Sequence, residues 1–241
     1  MHTTTVVIGA GRVGQTVAAR LAGSLLVHGR DEPDLDTAAR VLLAVPDSAI
    51  AQVCARIAPR LPAGCAVVHF SGATSVHALD AAPGPAACVH PLQTIWPDRG
   101  ACQLEGAYAA VTGDAAIGER LARELGMTPF PLADEAKPVY HAATAFASNY
   151  LVTLTHVAAG LMQQAGIDEQ LAYSALRPLQ QRTVEVAQGP PTGPIARADA
   201  GTVEAHLAVL RPDLAELYRS LGRATLPLVP APSAAAVRPL L

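Results

Sequence analysis

The chain has 241 residues, of which 51% are hydrophobic and 15% are charged, and its formal net charge is −3. This composition supplies enough apolar surface for a packed core, in one large domain or two small ones. Acidic and basic residues are interspersed without a basic stripe, which argues against nucleic acid as a partner. No apolar run approaches the roughly 20 residues of a membrane-spanning helix, and the first residues lack a signal pattern, so we expect a cytoplasmic protein.

Cysteine and histidine are spread along the chain rather than clustered. The four cysteines do not form a C-x-x-C pair, and a chain of this length does not depend on disulfides, so we expect reduced thiols at Cys54, Cys65, Cys88 and Cys102. The eight histidines show no spacing typical of metal ligands. The sequence therefore predicts no metal site.

The pattern of segment 3–14 predicts a strand, followed by the glycine motif G-x-G-x-x-G and then by a helix. In this pattern Gly9 allows a tight turn, Gly11 lets the backbone approach a pyrophosphate, and Gly14 lets the helix pack closely on the strand. The first N–H groups of that helix are available to phosphate oxygens. We therefore predict a dinucleotide-binding turn made by the motif residues Gly9, Ala10, Gly11, Arg12, Val13 and Gly14.

The end of the second predicted strand bears on which dinucleotide is bound. An acidic residue there holds the ribose hydroxyls of NAD, whereas an arginine accommodates the 2′-phosphate of NADP. Arg30 favours NADP, because a guanidinium pairs bidentately with phosphate. Asp31 is the alternative and would favour NAD.

Strand and helix patterns alternate through the first half of the chain. Apolar runs at 24–28, 41–45 and 65–70 have strand patterns. The alternation predicts an α/β fold, a doubly wound parallel sheet of the Rossmann type. Only ten residues separate Arg30 from Val41, so we expect one βα unit to be missing or reduced to a loop. Further strands are predicted at 87–90, 108–111 and 128–131, and helices at 48–61 and 115–125.

Helical periodicity without a convincing strand begins after residue 132. The predicted helices lie at 138–164, 168–187, 202–210 and 214–221. The sequence thus predicts a dinucleotide-binding domain at 1–133, an all-α substrate and dimerisation domain at 134–229, and a disordered tail at 230–241.

Two loops follow predicted strands at the edge where open α/β sheets bind ligands. The first, Val45-Pro46-Asp47, is predicted to pass beneath the nicotinamide end of the cofactor. The second carries Ser71 and Gly72, which are predicted to line the cofactor and substrate pocket. The alternative is that the polar residues of these loops are helix N-caps, namely Asp47 and Ser48 for one helix and Ser71 or Thr74 for the next.

Candidate proton donors follow in His90 and in the first helix of the helical half. His90 ends a predicted strand, and histidine exchanges protons near neutral pH, although a structural histidine beside an X-Pro turn fits equally well. If one helix spans 138–164, its start places a polar ridge on one face, formed by Lys137, His141, Ser148 and Asn149. Reduction of a carbonyl needs a proton donor, for which Lys137 and His141 are candidates, while Asn149 would orient the substrate.

A Pro- and Gly-rich segment at 189–199 predicts a shaped loop between helices. Arg197 within it is a candidate for binding a substrate carboxylate or phosphate. The alternative is a rigid connector in which Arg197 pairs with Asp199.

These motifs together resemble the β-hydroxyacid dehydrogenase and pyrroline-carboxylate reductase superfamily, in which a Rossmann domain precedes a helical domain. More narrowly, the chain resembles a bacterial group of Rossmann-like proteins whose helical half is a domain of unknown function. The narrower resemblance is carried by 45–47, 69–72, 90–94, His141 with 148–149, and 192–197. In the broader superfamily a catalytic lysine is followed four residues later by asparagine; Lys137 matches the lysine, but His141 stands at the asparagine position.

Together, the motifs and the resemblance predict an NADP-dependent oxidoreductase that acts on a small carbonyl or imine bound between its two domains. An iminium substrate would arrive already protonated and would need little acid catalysis. Two alternatives are a dinucleotide-binding sensor or scaffold without turnover and a deazaflavin-dependent oxidoreductase. The apolar helices and the resemblance also predict a homodimer.

Overall fold

A computed structural model describes residues 4–28, 31, 33–96 and 99–241 of the chain. Arg30, on which the NADP prediction depends, lies outside the described residues. The chain divides into two compact units, Met1–Thr153 and Leu154–Leu241. The division therefore falls later along the chain than the domain boundary predicted at residue 133.

The elements follow the predicted order of strands and helices. The strands are β1 (Thr4–Ile8), β2 (Leu25–Val27), β3 (Ala38–Leu43), β4 (Ala66–His69), β5 (Ala86–Leu92), β6 (Tyr108–Gly113) and β7 (Thr128–Pro131). The helices are α1 (Arg12–Arg20), α2 (Ile50–Ile57), α3 (Ala115–Glu124), α4 (Lys137–Ala147), α5 (Asn149–Gln164), α6 (Glu169–Glu185), α7 (Ala200–Val209), α8 (Pro212–Thr225) and α9 (Ala231–Val237).

The strands form one sheet in the order β2-β1-β3-β4-β5-β6-β7. Neighbours from β2 to β5 are parallel, which confirms the predicted Rossmann-type sheet. The exception to the predicted parallel order is β6, which runs antiparallel to β5, with β7 parallel to β6. The described part of the connection from β5 to β6 contains a short 3₁₀ turn at Ala101–Leu104, whereas parallel strands are usually joined by an α-helical crossover.

Helices cover both faces of the sheet. On one face, α1 and α3 pack through Val17 and Leu121 onto strand residues such as Val7 and Leu42. On the other face, α2 packs onto neighbouring residues of the same strands, including Val6 and Leu43. This alternation follows from the opposite directions of successive side chains in a strand. Both faces of the sheet are therefore buried, so a ligand can bind only at the ends of the strands.

The short connection between β2 and β3 agrees with the predicted loss of one βα unit. Its described residues contain no helix, and β1 pairs directly with both β2 and β3. Within the described chain, β2 is consequently an edge strand of the sheet.

The predicted single helix at 138–164 is corrected, because the chain leaves helical geometry at Ser148 (φ −120°, ψ −69°). α4 ends at Ala147 and α5 begins at Asn149. Serine and asparagine disfavour helix interiors because their side chains compete for backbone hydrogen bonds. Asn149 is therefore the first residue of a helix rather than a mid-helix residue.

The second unit is helical and has its own small core around Val203, Leu226 and Val237. The prediction of a disordered tail at 230–241 is wrong. Residues of this segment form α9, with Pro230 just before its first turn, and Val237 is completely buried. Proline is well suited to that end of a helix, and the alanines that follow favour helix. Among the described residues, no helix is long and apolar enough to cross a membrane.

Candidate active site

The glycine motif has the geometry that its spacing predicts. Gly9 has φ +114°, and a Cβ built there would lie 2.3 Å from the carbonyl oxygen of Ala44. A Cβ built at Gly14 would lie 1.7 Å from the carbonyl oxygen of Gly9. Only glycine fits at these two positions, because the loop after β3 and the first turn of α1 press against the turn.

Gly11 differs from the other two glycines. A Cβ built at Gly11 would meet no other atom within 4 Å, so the space above this residue is open. Gly11 also precedes α1, where no side chain caps the first N–H groups. An open approach to uncapped amides at a helix N-terminus suits a phosphate group.

Asp31 is hydrogen-bonded to His28, the residue that follows β2. Its Oδ2 accepts a hydrogen bond from the backbone N–H of His28 at 3.0 Å, and its own N–H donates to the carbonyl oxygen of His28 at 3.0 Å. One oxygen of the Asp31 carboxylate is therefore bound to the backbone of His28.

A cleft of about 520 Å³ opens at the carboxyl ends of β1, β4 and β5, inside the first unit. The cleft extends from the start of α1 to the loop after β5 and to the junction between α4 and α5. The residues that line it are Arg12, Val13, Phe70, His90, Pro91, Leu92, Gln93, Thr94, Ile95, His141, Thr144, Ala145, Ala147, Ser148 and Asn149. Five predicted site residues thus meet in one cavity: Arg12, Val13, His90, His141 and Asn149.

The two histidines of the cleft lie together over Gly72. The ring centroids of His90 and His141 are 6.1 Å apart. A Cβ built at Gly72 would lie 2.8 Å from His90 Nε2 and 2.8 Å from His141 Cδ2. Glycine at position 72 therefore allows both rings to approach the loop after β4.

Tyr140 contacts His90 through a hydrogen bond and through edge-to-face packing of the two rings. His90 Nδ1 and Tyr140 Oη are 2.8 Å apart, and the two rings meet edge to face with centroids 5.5 Å apart. Burial lowers the pKa of His90 to about 4, with smaller contributions in the same direction from His141 and Lys137. Burial also raises the pKa of the Tyr140 hydroxyl to about 12. At neutral pH both groups are therefore uncharged.

Lys137 does not line the cleft. Its side chain is buried, with 1% of its surface exposed, and Nζ donates to the carbonyl oxygens of Ser71 at 3.3 Å and Thr74 at 2.5 Å. The Cys88 thiol donates to the same Ser71 carbonyl at 3.1 Å, and burial raises the pKa of this thiol. Lys137 thus ties the start of α4 to the loop that carries Gly72, and this geometry does not place it as a proton donor to a substrate in the cleft.

The hydroxyl of Ser71 is likewise engaged in hydrogen bonds to nearby loops rather than directed at the cleft. Its hydroxyl donates to Asp47 Oδ2 at 2.7 Å and accepts hydrogen bonds from the backbone N–H groups of Ala73 and Thr74. Its backbone N–H donates to Nδ1 of the buried His69, whose pKa burial lowers to about 4. Ser71 therefore stabilises its own loop, while Gly72 is the residue of this loop that contacts the cleft histidines. The capping alternative is wrong for both loops: Ser75 caps the 3₁₀ turn that follows the second loop, and among the described residues no side chain caps the helices that follow the first.

The remaining predicted residues lie in other places. Val45, Pro46 and Asp47 are not part of the cleft lining, although the backbone of Ala44 and Val45 lies against Gly9. Asp199 caps α7 by accepting from the backbone N–H of Thr202 at 3.0 Å. Arg197 belongs to the second unit, and its role as a substrate ligand stays a prediction.

Sequence reasoning missed Tyr140 and Thr94. Thr94 Oγ1 lies 3.2 Å from Ser148 Oγ, which joins the loop after β5 to the junction of α4 and α5. A signal for Tyr140 was present, because 140, 144 and 148 follow the i, i+4 spacing of one helix face. The predicted polar ridge began instead at Lys137, whose amine binds the carbonyl oxygens of Ser71 and Thr74 and does not line the cleft.

The glycine turn, the sheet and the cleft at its carboxyl edge define a Rossmann-like protein with a helical C-terminal part. A comparison with family models matches residues 104–225 to the Domain of unknown function DUF2520. This match covers half of the chain, which therefore belongs to that family. A search of curated protein sequences gives no significant match.

The solved structures with the same fold include three proteins that are named as oxidoreductases or reductases. One is a protein from Bacteroides fragilis proposed to be an NADP oxidoreductase, with 20% identity, 92% of this chain and 97% of that chain covered, and a TM-score of 0.77. Another is pyrroline carboxylate reductase from Plasmodium falciparum with NADP bound, at 12% identity, 99% and 95% coverage and a TM-score of 0.61. A third is an imine reductase from Aspergillus terreus, at 12% identity, 98% coverage of each chain and a TM-score of 0.61. These likenesses confirm the predicted fold.

Proposed function

We propose that the chain is an NADP-dependent oxidoreductase that acts on a small carbonyl or hydroxy compound, or on the corresponding imine or amine. The observation that carries this proposal is the composition of the cleft. The start of the dinucleotide motif, at Arg12 and Val13, and the histidine pair, His90 and His141, line the same cavity. The names of the solved relatives with this fold, which include NADP-binding reductases, support the same class of reaction.

The residues of the first unit fit a dinucleotide. The open space at Gly11 accommodates a pyrophosphate, and the uncapped start of α1 supplies N–H donors. Arg12, whose guanidinium lies 3.5 Å from the carbonyl oxygen of Ile95, adds a positive charge to the cleft. We propose that Arg30 pairs with the 2′-phosphate of NADP. Asp31, which would favour NAD, already has one carboxylate oxygen bound to the backbone N–H of His28. When bound, the cofactor supplies or accepts the hydride.

The other side of the cleft supplies hydrogen-bonding groups to the substrate. His141 is exposed, whereas His90 is half-buried, so we assign the transfer of a proton to His141. Thr94, Ser148 and Asn149 lie around the same cavity and are placed to orient a polar substrate. Lys137, which the superfamily pattern suggests as the acid, takes no part in this assignment because its amine is bound to backbone carbonyls.

The test of the cofactor site is a calorimetric titration of the purified protein with NADPH and NADH in parallel. We expect NADPH to bind more tightly, and Arg30→Ala to remove that difference. We expect Gly11→Ala to fold normally, because nothing surrounds its Cβ, and to weaken the binding of both nucleotides by tenfold or more, about 1.4 kcal/mol, since the methyl group occupies the phosphate space.

Gly160→Ala is the matched control for this experiment. Gly160 lies within α5, and a Cβ built there also meets no atom within 4 Å. This substitution should leave nucleotide binding unchanged and raise helix stability by about 0.5–1 kcal/mol. Binding of neither nucleotide by the wild-type protein would contradict the proposed function, and equal binding by Gly11→Ala would contradict the assigned phosphate position.

We further propose that the protein acts as a homodimer through α5 and α6. Ala159 is the one buried residue of the sixteen in α5, and Ala172 is the one buried residue of the seventeen in α6. α6 leaves Leu171, Leu179 and Val184 largely exposed. A second copy of the chain would cover these apolar side chains.

We expect light scattering to give a mass twice the 24.8 kDa of one chain. Leu179→Glu should shift this mass toward the monomer, because it places a charge on the proposed contact face. Gln52→Glu, which adds the same charge at an exposed position of α2 rather than on α5 or α6, should leave the mass unchanged. A wild-type protein of monomeric mass would overturn the dimer.

A further inference from the structure

We infer that Tyr140 is a positioning residue that holds His90 in one neutral tautomer, with Nδ1 accepting a hydrogen bond from Tyr140 Oη and with Nε2 carrying the proton. The inference deepens the proposed function and rests on it for the role of His90. It assigns different tasks to the two histidines of the cleft, which their sequence positions alone do not distinguish.

The direction of the hydrogen bond follows from the acidity of the two groups. A phenol hydroxyl is a stronger donor than a neutral imidazole N–H, and an imidazole nitrogen is a stronger acceptor than a phenol oxygen. At 2.8 Å, the Tyr140 hydroxyl therefore donates to His90 Nδ1. A neutral imidazole that accepts at Nδ1 carries its proton at Nε2.

The packing around the pair keeps the His90 ring in this orientation. Tyr140 meets His90 edge to face at 87°, and Tyr140 in turn packs against Phe130 with centroids 6.1 Å apart. On the opposite side, the Nε2 and Cε1 edge of His90 lies over Gly72, where a Cβ would come within 2.8–2.9 Å of these atoms. Tyr140 and Gly72 therefore hold the ring from both ends.

A fixed Nε2–H changes what the cleft offers to a substrate. His90 is then a neutral hydrogen-bond donor that does not give up its proton, and it suits an oxygen on which negative charge develops as a carbonyl is reduced. His141 is left to transfer the proton. The same donor is unfavourable for an iminium cation, so the arrangement favours the carbonyl and hydroxy class over the imine and amine class.

The test is a long-range ¹H–¹⁵N spectrum of the histidine rings in the ¹⁵N-labelled full chain at pH 7, with His90 assigned through the signals missing from His90→Gln. We expect His90 in the wild-type protein to show a protonated Nε2 and an unprotonated Nδ1. We expect Tyr140→Phe to turn this single tautomer into a mixture, because Nδ1 loses its donor.

Tyr173→Phe is a control with the same chemistry at another place. Tyr173 Oη lies 2.6 Å from His156 Nδ1 in the second unit. This variant should change the signals of His156 and leave those of His90 as they are.

Two results would overturn the inference: a wild-type His90 protonated at Nδ1, or a Tyr140→Phe variant whose His90 tautomer is unchanged. If Tyr140→Phe does not fold, the wild-type spectrum decides alone. The NADPH titration of the wild-type protein separates this inference from the proposed function. A protein that binds no nucleotide but shows the expected tautomer loses its assigned reaction and keeps the Tyr140–His90 pair.

Discussion

Replacing Lys137 by methionine is expected to lower the free energy of unfolding by about 3–5 kcal/mol. Methionine fills a similar volume but cannot donate a hydrogen bond, so the carbonyl oxygen of Thr74 loses its Lys137 donor and that of Ser71 keeps only the weak Cys88 thiol. The carboxylate of Asp134, which interacts electrostatically with Lys137, loses a positive neighbour as well. Chemical denaturation monitored by circular dichroism measures the change.

The choice of residue at position 137 supports this expectation. Lys137 is the single lysine of the chain, and all the other residues counted among its 17 basic side chains are arginines. An ammonium group is compact and its donors rotate freely, whereas a guanidinium is a flat fork that needs more room. We therefore expect Lys137→Arg to recover only part of the stability that Lys137→Met loses.

Val139→Met is the matched control for Lys137→Met. Val139 lies on the same helix two residues further along and is 72% exposed, so its replacement should change stability by less than about 0.5 kcal/mol. Acylation of amines gives a second measurement, because in the folded protein the buried ε-amine of Lys137 should react far more slowly than after denaturation. An unfolding midpoint of Lys137→Met equal to that of Val139→Met would contradict the proposed role.

Lys137 also shows where prediction from the sequence ends. Its position at the start of a helix was predicted, and the resemblance to the superfamily suggested a catalytic amine. The acceptors of that amine lie 63 and 66 residues away along the chain, in a loop whose path depends on the whole sheet. The spacing of residues along one helix contains no information about such partners.

The distinction between contacts of neighbouring residues and contacts of distant residues also explains which other features of the fold and the site were predicted. The glycine turn and the loss of a βα unit depend on a few neighbouring residues, and both were predicted. The reversal of β6 depends on the path of the chain between two strands, and a strand pattern does not encode direction. The meeting of His90 with His141 joins segments fifty-one positions apart, so the sequence predicted the candidates but not their contact.

Gly14→Ala is expected to abolish folding of the first unit or to destabilise it by more than about 3 kcal/mol. The added Cβ would lie 1.7 Å from the carbonyl oxygen of Gly9 and 3.2 Å from the Cβ of Ala44. The first of these atoms is backbone, and Gly9 is itself confined at φ +114° by the loop after β3. The clash therefore cannot be relieved by rotating a side chain, and α1 must move away from the sheet.

The three glycines of the motif provide an internal comparison for this prediction. Gly11→Ala adds the same methyl group three residues earlier, where the space is open, and should melt within a few degrees of the wild-type protein. The yield of folded protein and the melting temperature should therefore fall for Gly14→Ala and not for Gly11→Ala, while nucleotide binding should fall for Gly11→Ala. A Gly14→Ala variant as stable as Gly11→Ala would mean that α1 is not packed on the glycine turn as described. The motif would then lack the close helix–strand contact that brings the N–H groups of α1 to the cleft.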